Sequence, residues 1–229
     1  MINYYVRKVL EKEQIELIQN LLKHAEEHNL WHDGLLSGGG YVSTKSNKEL
    51  SDLQMLQTIN DCIMQSLDCD KKFLTYTAAS STNLNIISKT ESGNYYNPHF
   101  DNWCNGDYST TVFLSDPETY DGGELCLLMG NDDEKMFKLD AGWAITYPTG
   151  TIHRVNKVVS GTRYVSVFWT KSKIKDNFMR NLNYQLELLI DGLEKQSSPV
   201  HHTDCKVTLK DPLFIARNIK NEILRHYGE

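Results

Sequence analysis

The chain of 229 residues has room for one well-packed domain with extensions, or two small domains at most. With 40% hydrophobic and 24% charged residues it has the composition of an ordinary soluble globular protein, and no apolar run approaches the roughly 20 residues that cross a bilayer. A net charge of −6 without a basic stripe argues against a nucleic-acid backbone as the main partner.

The opening MINYYVRKVLEKEQ carries charges where a secretory segment needs apolar residues. Cysteines stand at 62, 69, 104, 126 and 205, an odd number with no CxxC pair. Cys62 and Cys69 fall on one predicted helix about 10 Å apart, too far for a bridge. A reduced, cytoplasmic chain is the expectation.

In chain order, residues 3–8 predict a short strand. Ile15, Ile18, Leu22 and Ala25 then recur at helical spacing. The Gly- and Ser-rich stretch 33–50 predicts a mobile loop, and its 33–49 part is a candidate lid over a reactive centre. A second helix places Leu53, Leu56, Ile59, Ile63 and Leu67 on one face. From about 73 to 170, short β-type segments alternate with turn signals, beginning with FLTYT (73–77) and ending with RYVSVFWT (163–170). Such spacing predicts an antiparallel sandwich or barrel. Asp121-Gly122 reads as a hairpin turn. The C-terminal part predicts one helix with a stripe of Phe178, Leu182, Leu186, Leu189 and Leu193. A second opens on Asp211-Pro212 and carries Ile215, Ile219 and Ile223.

Within the β region, His99 and Asp101 alternate onto one side of a strand, about 7 Å apart. His153, just after the turn in YPTGTIHRV, offers a third ligand from another strand. Two imidazoles and one carboxylate form the ligand set of non-haem Fe(II) oxygenases, which leaves positions for cosubstrate and O2. Ten residues later stands Arg163, whose guanidinium on an inward strand suits a carboxylate with two parallel hydrogen bonds. An iron-chelating 2-oxoacid with its distal carboxylate on Arg163 completes this reading, so 2-oxoglutarate is the predicted cosubstrate.

The stretches SGNYYNPHFD (92–101), TTVFLSDPETYDGGEL (110–125) and YPTGTIHRVNKVVSGTRYVSVFW (147–169) resemble the Fe(II)/2-oxoglutarate-dependent dioxygenases of the prolyl-hydroxylase-like branch, and within it the PKHD-type hydroxylases of bacteria and phages. The resemblance implies a double-stranded β-helix, or jelly roll, with N-terminal helices buttressing one sheet and a C-terminal helical extension. It implies a dioxygenase domain over 1–171, with a β core at about 73–170 and helices and the lid-like loop over 1–72, followed by an extension over 172–229. It implies that His99, Asp101 and His153 bind Fe(II), that Arg163 binds 2-oxoglutarate, and that ascorbate is a possible reductant. The implied reaction hydroxylates an unactivated C–H, in a prolyl or other residue of a peptide or protein, and releases succinate and CO2. Two alternatives stand beside it: a hydroxylase of small molecules or free amino acids, and a cupin-like binding module without turnover. Nucleic-acid dealkylation of the AlkB kind calls for a second arginine six residues after the first, where this chain has Trp169.

Tyr96 and Thr111 are further cosubstrate candidates, with Ser109 beside Thr111. Trp169 is expected to pack in the barrel, and Cys104 to be a small buried or half-buried side chain. His201, His202 and Cys205 read as a solvated loop, and His24, His28, His32 and His226 as surface residues. The apolar stripe from Phe178 onward raises the possibility of a homodimer, with packing on the chain's own sheet as the simpler outcome.

Overall fold

The computed structural model describes residues 4–37, 45–83, 86–102, 104–130, 133–196 and 211–228. Strand β1 (Tyr5–Lys8) is followed by helix α1 (Lys12–Glu27), in which the Glu11 backbone N–H donates to the Gln14 side chain at 2.9 Å. Then come β2 (Trp31–Asp33), β3 (Lys48–Leu50), α2 (Leu53–Asp68) and α3 (Lys71–Thr77). The β region runs β4 (Ala79–Thr82), β5 (Ile86–Glu91), β6 (Tyr96–His99), β7 (Tyr108–Phe113), β8 (Tyr120–Gly122), β9 (Leu125–Leu128), β10 (Glu134–Phe137), β11 (Trp143–Pro148), β12 (His153–Val155) and β13 (Val158–Ser172). Helices α4 (Asn177–Gln196) and α5 (Pro212–Tyr227) end it.

The strands form two antiparallel sheets. The larger has the order β1-β11-β7-β13-β5-β3-β2, with β4 and β8 pairing on the ends of β13, and the smaller has the order β10-β9-β12-β6. Period-2 alternation divides the larger sheet between two cores. Outward residues Ile87, Val112, Ala144 and Phe168 pack under α1 and α2, against Ile18, Leu22, Ile59 and Ile63. Inward residues Phe113, Ile145 and Val165 meet Leu125 and Leu127 of the smaller sheet. The expected jelly roll, buttressed on one sheet by the N-terminal helices, is the fold observed.

Several local expectations change. FLTYT forms α3 and not a strand: Asp70 accepts the Lys72 N–H at 3.0 Å as N-cap, and Phe73, Tyr76 and Thr77 are buried at helical spacing, so period overrides β-type composition. Asp121 and Gly122 lie in β8, paired with β13, and the tight positive-φ positions are Gly122 and Gly123. The ends of the 33–50 stretch are ordered by pairing, Trp31–Asp33 against Lys48–Leu50. The tip of the proposed lid, 38–44, lies outside the described residues, as do His201, His202 and Cys205. Leu53 is 80% exposed, and α2 buries Met55 and Asn60 with Ile59, Ile63 and Leu67. Helix α4 turns Arg180, Asn183, Tyr184 and Ile190 inward, because polar anchors under it take its buried face. Its leucine stripe therefore faces α5 and solvent, with Phe178 and Leu189 exposed. Helix α5 likewise buries Ala216 and Ile223, leaving Ile215 and Ile219 exposed. Cys104 is exposed, in the turn beyond Asp101.

Candidate functional site

His99 and His153 are register partners across β6 and β12. Strand β6 lies at the edge of the smaller sheet, where Pro98 costs the ladder no donor. After β11 the chain reverses through Pro148–Thr151, with the Thr151 N–H donating to the Pro148 carbonyl at 2.9 Å, and re-enters as β12. Asp101 follows two residues after His99. Its Oδ1 lies 3.9 Å from the Nε2 of each histidine. Ligand atoms of all three residues fall within 4.8 Å of one another, a triangle that could hold one metal ion.

Both imidazoles are oriented by the backbone. His99 Nδ1 lies 2.8 Å from the Asn97 carbonyl and His153 Nδ1 2.9 Å from the Thr151 carbonyl. A carbonyl only accepts, so Nδ1 carries the proton and Nε2 turns its lone pair toward Asp101. Burial, and next the neighbouring His153, push His99 down to about 4, which keeps its imidazole neutral at neutral pH. Asp101 is held through its other oxygen. Oδ2 accepts the Ser109 hydroxyl at 2.6 Å and the Trp169 indole N–H at 3.0 Å. Trp169 thus does more than pack in the barrel. Ser109, considered beside the cosubstrate, serves the candidate metal ligand instead. Period-2 reading puts Trp169 on the same strand face as Arg163, which was the available signal for this role.

The triangle opens into a cavity of about 170 Å³. At its inner end Arg163 is 2% exposed, and burial lowers its pKa from the ordinary arginine value. Its guanidinium lies 5.4 Å from the centre of the Phe113 ring, with Tyr120 and Tyr147 as neighbours. Among the described residues its Nε–H has no hydrogen-bond partner and no carboxylate forms an ion pair with it, while the Tyr120 hydroxyl interacts with the guanidinium. A cation this buried calls for an anion. Space for its stem depends on a glycine: a Cβ on Gly123, at φ +68°, would stand 3.1 Å from Arg163 Cδ. This ties the DGG stretch to the arginine. Thr111 lines the cavity from β7, in contact with the buried Tyr147 hydroxyl. Thr90 faces Arg163 across the β5–β13 ladder.

At the outer end, the Tyr96 ring stacks on His99 at 3.5 Å, and burial pushes its hydroxyl up to about 12. Lys45, Asn47 and Glu49 form a wall there that sequence reading folded into a loop; their spacing of two is its signal. Lys45 Nζ lies 2.7 Å from Glu49, and Ser46 N–H donates to the Tyr95 carbonyl at 3.0 Å. The segment therefore runs from the edge of the smaller sheet to the larger one. His24, Glu27 and His28 bring ligand atoms together on α1 as well, but all three are exposed.

The donor set fits a divalent iron: two imidazoles and one carboxylate, with a buried arginine in the same cavity. Comparison with known proteins agrees. The family model for the 2OG-Fe(II) oxygenase superfamily matches residues 84–171. A PKHD-type hydroxylase of Gloeothece citriformis is 36% identical over 99% of each chain. Another from Picosynechococcus is 34% identical over 88% of this chain and 92% of its own. Among solved structures, a Pseudomonas putida prolyl-4-hydroxylase superposes with TM-score 0.56 at 12% identity, over 74% of this chain and 92% of that one. A Trichoplax adhaerens prolyl hydroxylase, in complex with a hypoxia inducible factor peptide fragment, gives 0.60 at 13% identity, over 74% and 84%. At these identities the structural likeness bears on the fold.

Proposed function

We propose a reaction from one premise: this chain belongs to the PKHD-type hydroxylases, within the 2OG-Fe(II) oxygenase superfamily. It is an oxygenase that uses Fe(II) and 2-oxoglutarate. In our reading His99, Asp101 and His153 hold the iron, and Arg163 holds the distal carboxylate of 2-oxoglutarate. The carrying observation is that the three-ligand triangle and the buried guanidinium line a single cavity.

The bound iron, with 2-oxoglutarate and O2, supplies the oxidising power for C–H hydroxylation, and the cosubstrate leaves as succinate and CO2. The residues bind and orient. Asn97 and Thr151 carbonyls keep each Nδ1 proton away from the metal side, so both Nε2 atoms present lone pairs. Arg163, buried beside Phe113, would hold the carboxylate with paired hydrogen bonds from its planar guanidinium, shielded from bulk water. Thr111 and Tyr147 bound the cosubstrate region, and Tyr96 holds the His99 ring flat at the cavity mouth.

We assign the substrate to peptides or proteins, with a prolyl or other residue as the hydroxylated one. Tyr95 and Phe100 support this: both line the cavity and are exposed, and so offer aromatic surface on which a peptide can pack. Residues 1–171 carry the reaction in this reading, and 172–229 are a helical extension.

The test is an anaerobic titration with Fe(II) and then 2-oxoglutarate, following the visible charge-transfer absorption of the complex. The absorption should form in the native protein, vanish in His99→Ala, and require far more 2-oxoglutarate in Arg163→Ala. Succinate release should then rise with a proline-containing peptide. A rise only with free amino acids would reassign the substrate. No absorption with iron-loaded native protein would overturn the reading.

A further inference from the structure

The larger sheet places two hydrogen-bond donors on one oxygen of Asp101. Trp169 and Ser109 are direct partners in the β13–β7 register. From adjacent strands, the indole N–H and the hydroxyl reach the same atom, Oδ2, at 3.0 and 2.6 Å. Ser109 is fully buried, and the Thr149 hydroxyl stands 3.4 Å behind it. Oδ1 receives neither donor and is the oxygen that faces both histidines.

We propose that Trp169 and Ser109 are positioning residues that retire Oδ2 from coordination, so that Asp101 offers the metal one oxygen and not two. This deepens the iron-binding reading and rests on it. Turning the carboxylate to present both oxygens breaks both hydrogen bonds at once, so the pair resists it. A second carboxylate oxygen on the metal would occupy a place that cosubstrate or O2 needs. The strand geometry adds a reason for Trp at this position. Arg163, Val165, Val167 and Trp169 alternate onto the inner face of β13, so one strand sets both the cosubstrate anchor and the carboxylate donor. The spacing of the two is fixed by a backbone paired on both sides, with β5 and β7. Phenylalanine fills most of the tryptophan volume and donates nothing, which separates packing from hydrogen bonding.

Co(II), which does not oxidise in air as Fe(II) does, serves as the metal probe on the full chain. Calorimetric titration and the visible Co(II) absorption spectrum are read for native protein, Trp169→Phe, Ser109→Ala and the double variant. Each single variant should weaken Co(II) binding about tenfold and the double about a hundredfold, the range for losing partners behind a metal ligand. The spectrum should shift in the variants as the carboxylate changes its mode of binding. Affinity of the Co(II)-loaded double variant for 2-oxoglutarate should fall about tenfold although Arg163 is untouched, because the freed Oδ2 competes for the place that the cosubstrate takes. A double variant that melts cooperatively, binds Co(II) within twofold of native and keeps the native spectrum would overturn the proposal. If Trp169→Phe does not fold, Ser109→Ala decides, because it removes a single atom. Native protein that binds Co(II) no better than His99→Ala would instead overturn the iron site itself, a distinct result.

Discussion

Arg163 is the residue whose environment most constrains what this chain can do. A guanidinium at 2% exposure has exchanged most of its contact with bulk water for Phe113, Tyr120 and Tyr147, and its Nε–H meets no acceptor among the described residues. The protein without cosubstrate therefore carries a local instability, relieved when a carboxylate arrives. Arg163→Met should raise the melting temperature of that form, by the equivalent of about 1 kcal/mol, since an apolar side chain of similar length fits such a position at no desolvation cost. The same variant should lose the stabilisation that 2-oxoglutarate gives the metal-loaded native protein, about 2.7 kcal/mol at a hundred times its dissociation constant. Thermal melts with and without cosubstrate measure both effects. A variant less stable without cosubstrate would mean that the arginine is satisfied by the fold itself. At this scale the convergence of His99, Asp101, His153 and Arg163 on one cavity was legible from residue type and spacing. The donors behind Asp101 were not: period 2 puts Trp169 on the face of Arg163, but nothing in the sequence pairs it with Asp101, 68 positions away.

Elements were legible where period and composition agree. β7, β11 and β13 are rich in β-branched and aromatic residues and fall within the 73–170 region of β-type segments, with β13 running just past its end. α3 was misread because its aromatic and threonine content favours a strand while its burial follows a helix. The α4 stripe misled for another reason: tertiary contacts chose a polar face for burial. The joint between α1 and the larger sheet makes a similar choice. Lys89 on β5 is 3% exposed, yet it points toward the helix layer, where its Nζ meets both Glu26 oxygens at 2.8–2.9 Å and Glu91 at 3.1 Å. The Tyr164 hydroxyl donates to Glu26 at 2.8 Å, and the Trp31 ring lies 5.1 Å from Nζ. The cation is buried while its carboxylates reach solvent, so the two kinds of deletion should differ. Lys89→Met leaves two solvated carboxylates and should change stability by less than about 1 kcal/mol, whereas Glu26→Gln with Glu91→Gln strands the ammonium and should cost about 3 kcal/mol. Urea midpoints compare them. The hydrogen bond from Lys48, aided by Lys89, holds Glu91 below the usual carboxylate value of 4.5. A depressed carboxyl contributes stability that is present above its unfolded value and lost as pH falls through its folded one. Stability should therefore decline below about pH 4.5, with a shallower slope in Glu91→Gln. An unchanged slope would remove Glu91 from the account.

Across the whole molecule, the C-terminal helices and the segments that carry the candidate site meet at Asp107. Arg180 of α4, buried at 7% exposure, donates to Asp107 Oδ1 at 2.9 Å and to the carbonyls of Ile174 and Lys175 at 3.0 Å. Asp107 Oδ2 accepts the Ser172 N–H at 2.8 Å, and its carbonyl accepts the Thr149 N–H at 3.0 Å. It thus joins the end of β13, the segment after Asp101 and the turn before His153. Tyr184 of α4 closes an aromatic cluster with Tyr76 and Tyr108. Helices anchored this way cannot leave without exposing two buried tyrosines and taking the Arg180 guanidinium from Asp107. The extension and the oxygenase core should accordingly unfold as one unit. Amide exchange in α4 should give the same opening free energy as the strands of β7 and β13, and a chain ending at Ser172 should expose apolar surface to a dye such as ANS. Arg180→Met should lower stability by about 2 kcal/mol, the cost of a half-buried carboxylate losing its buried charged donor, without splitting the transition. If α4 instead exchanges far faster than β7 while Co(II) binding persists in the shortened chain, the helices are an independent appendage and the shared aspartate couples nothing.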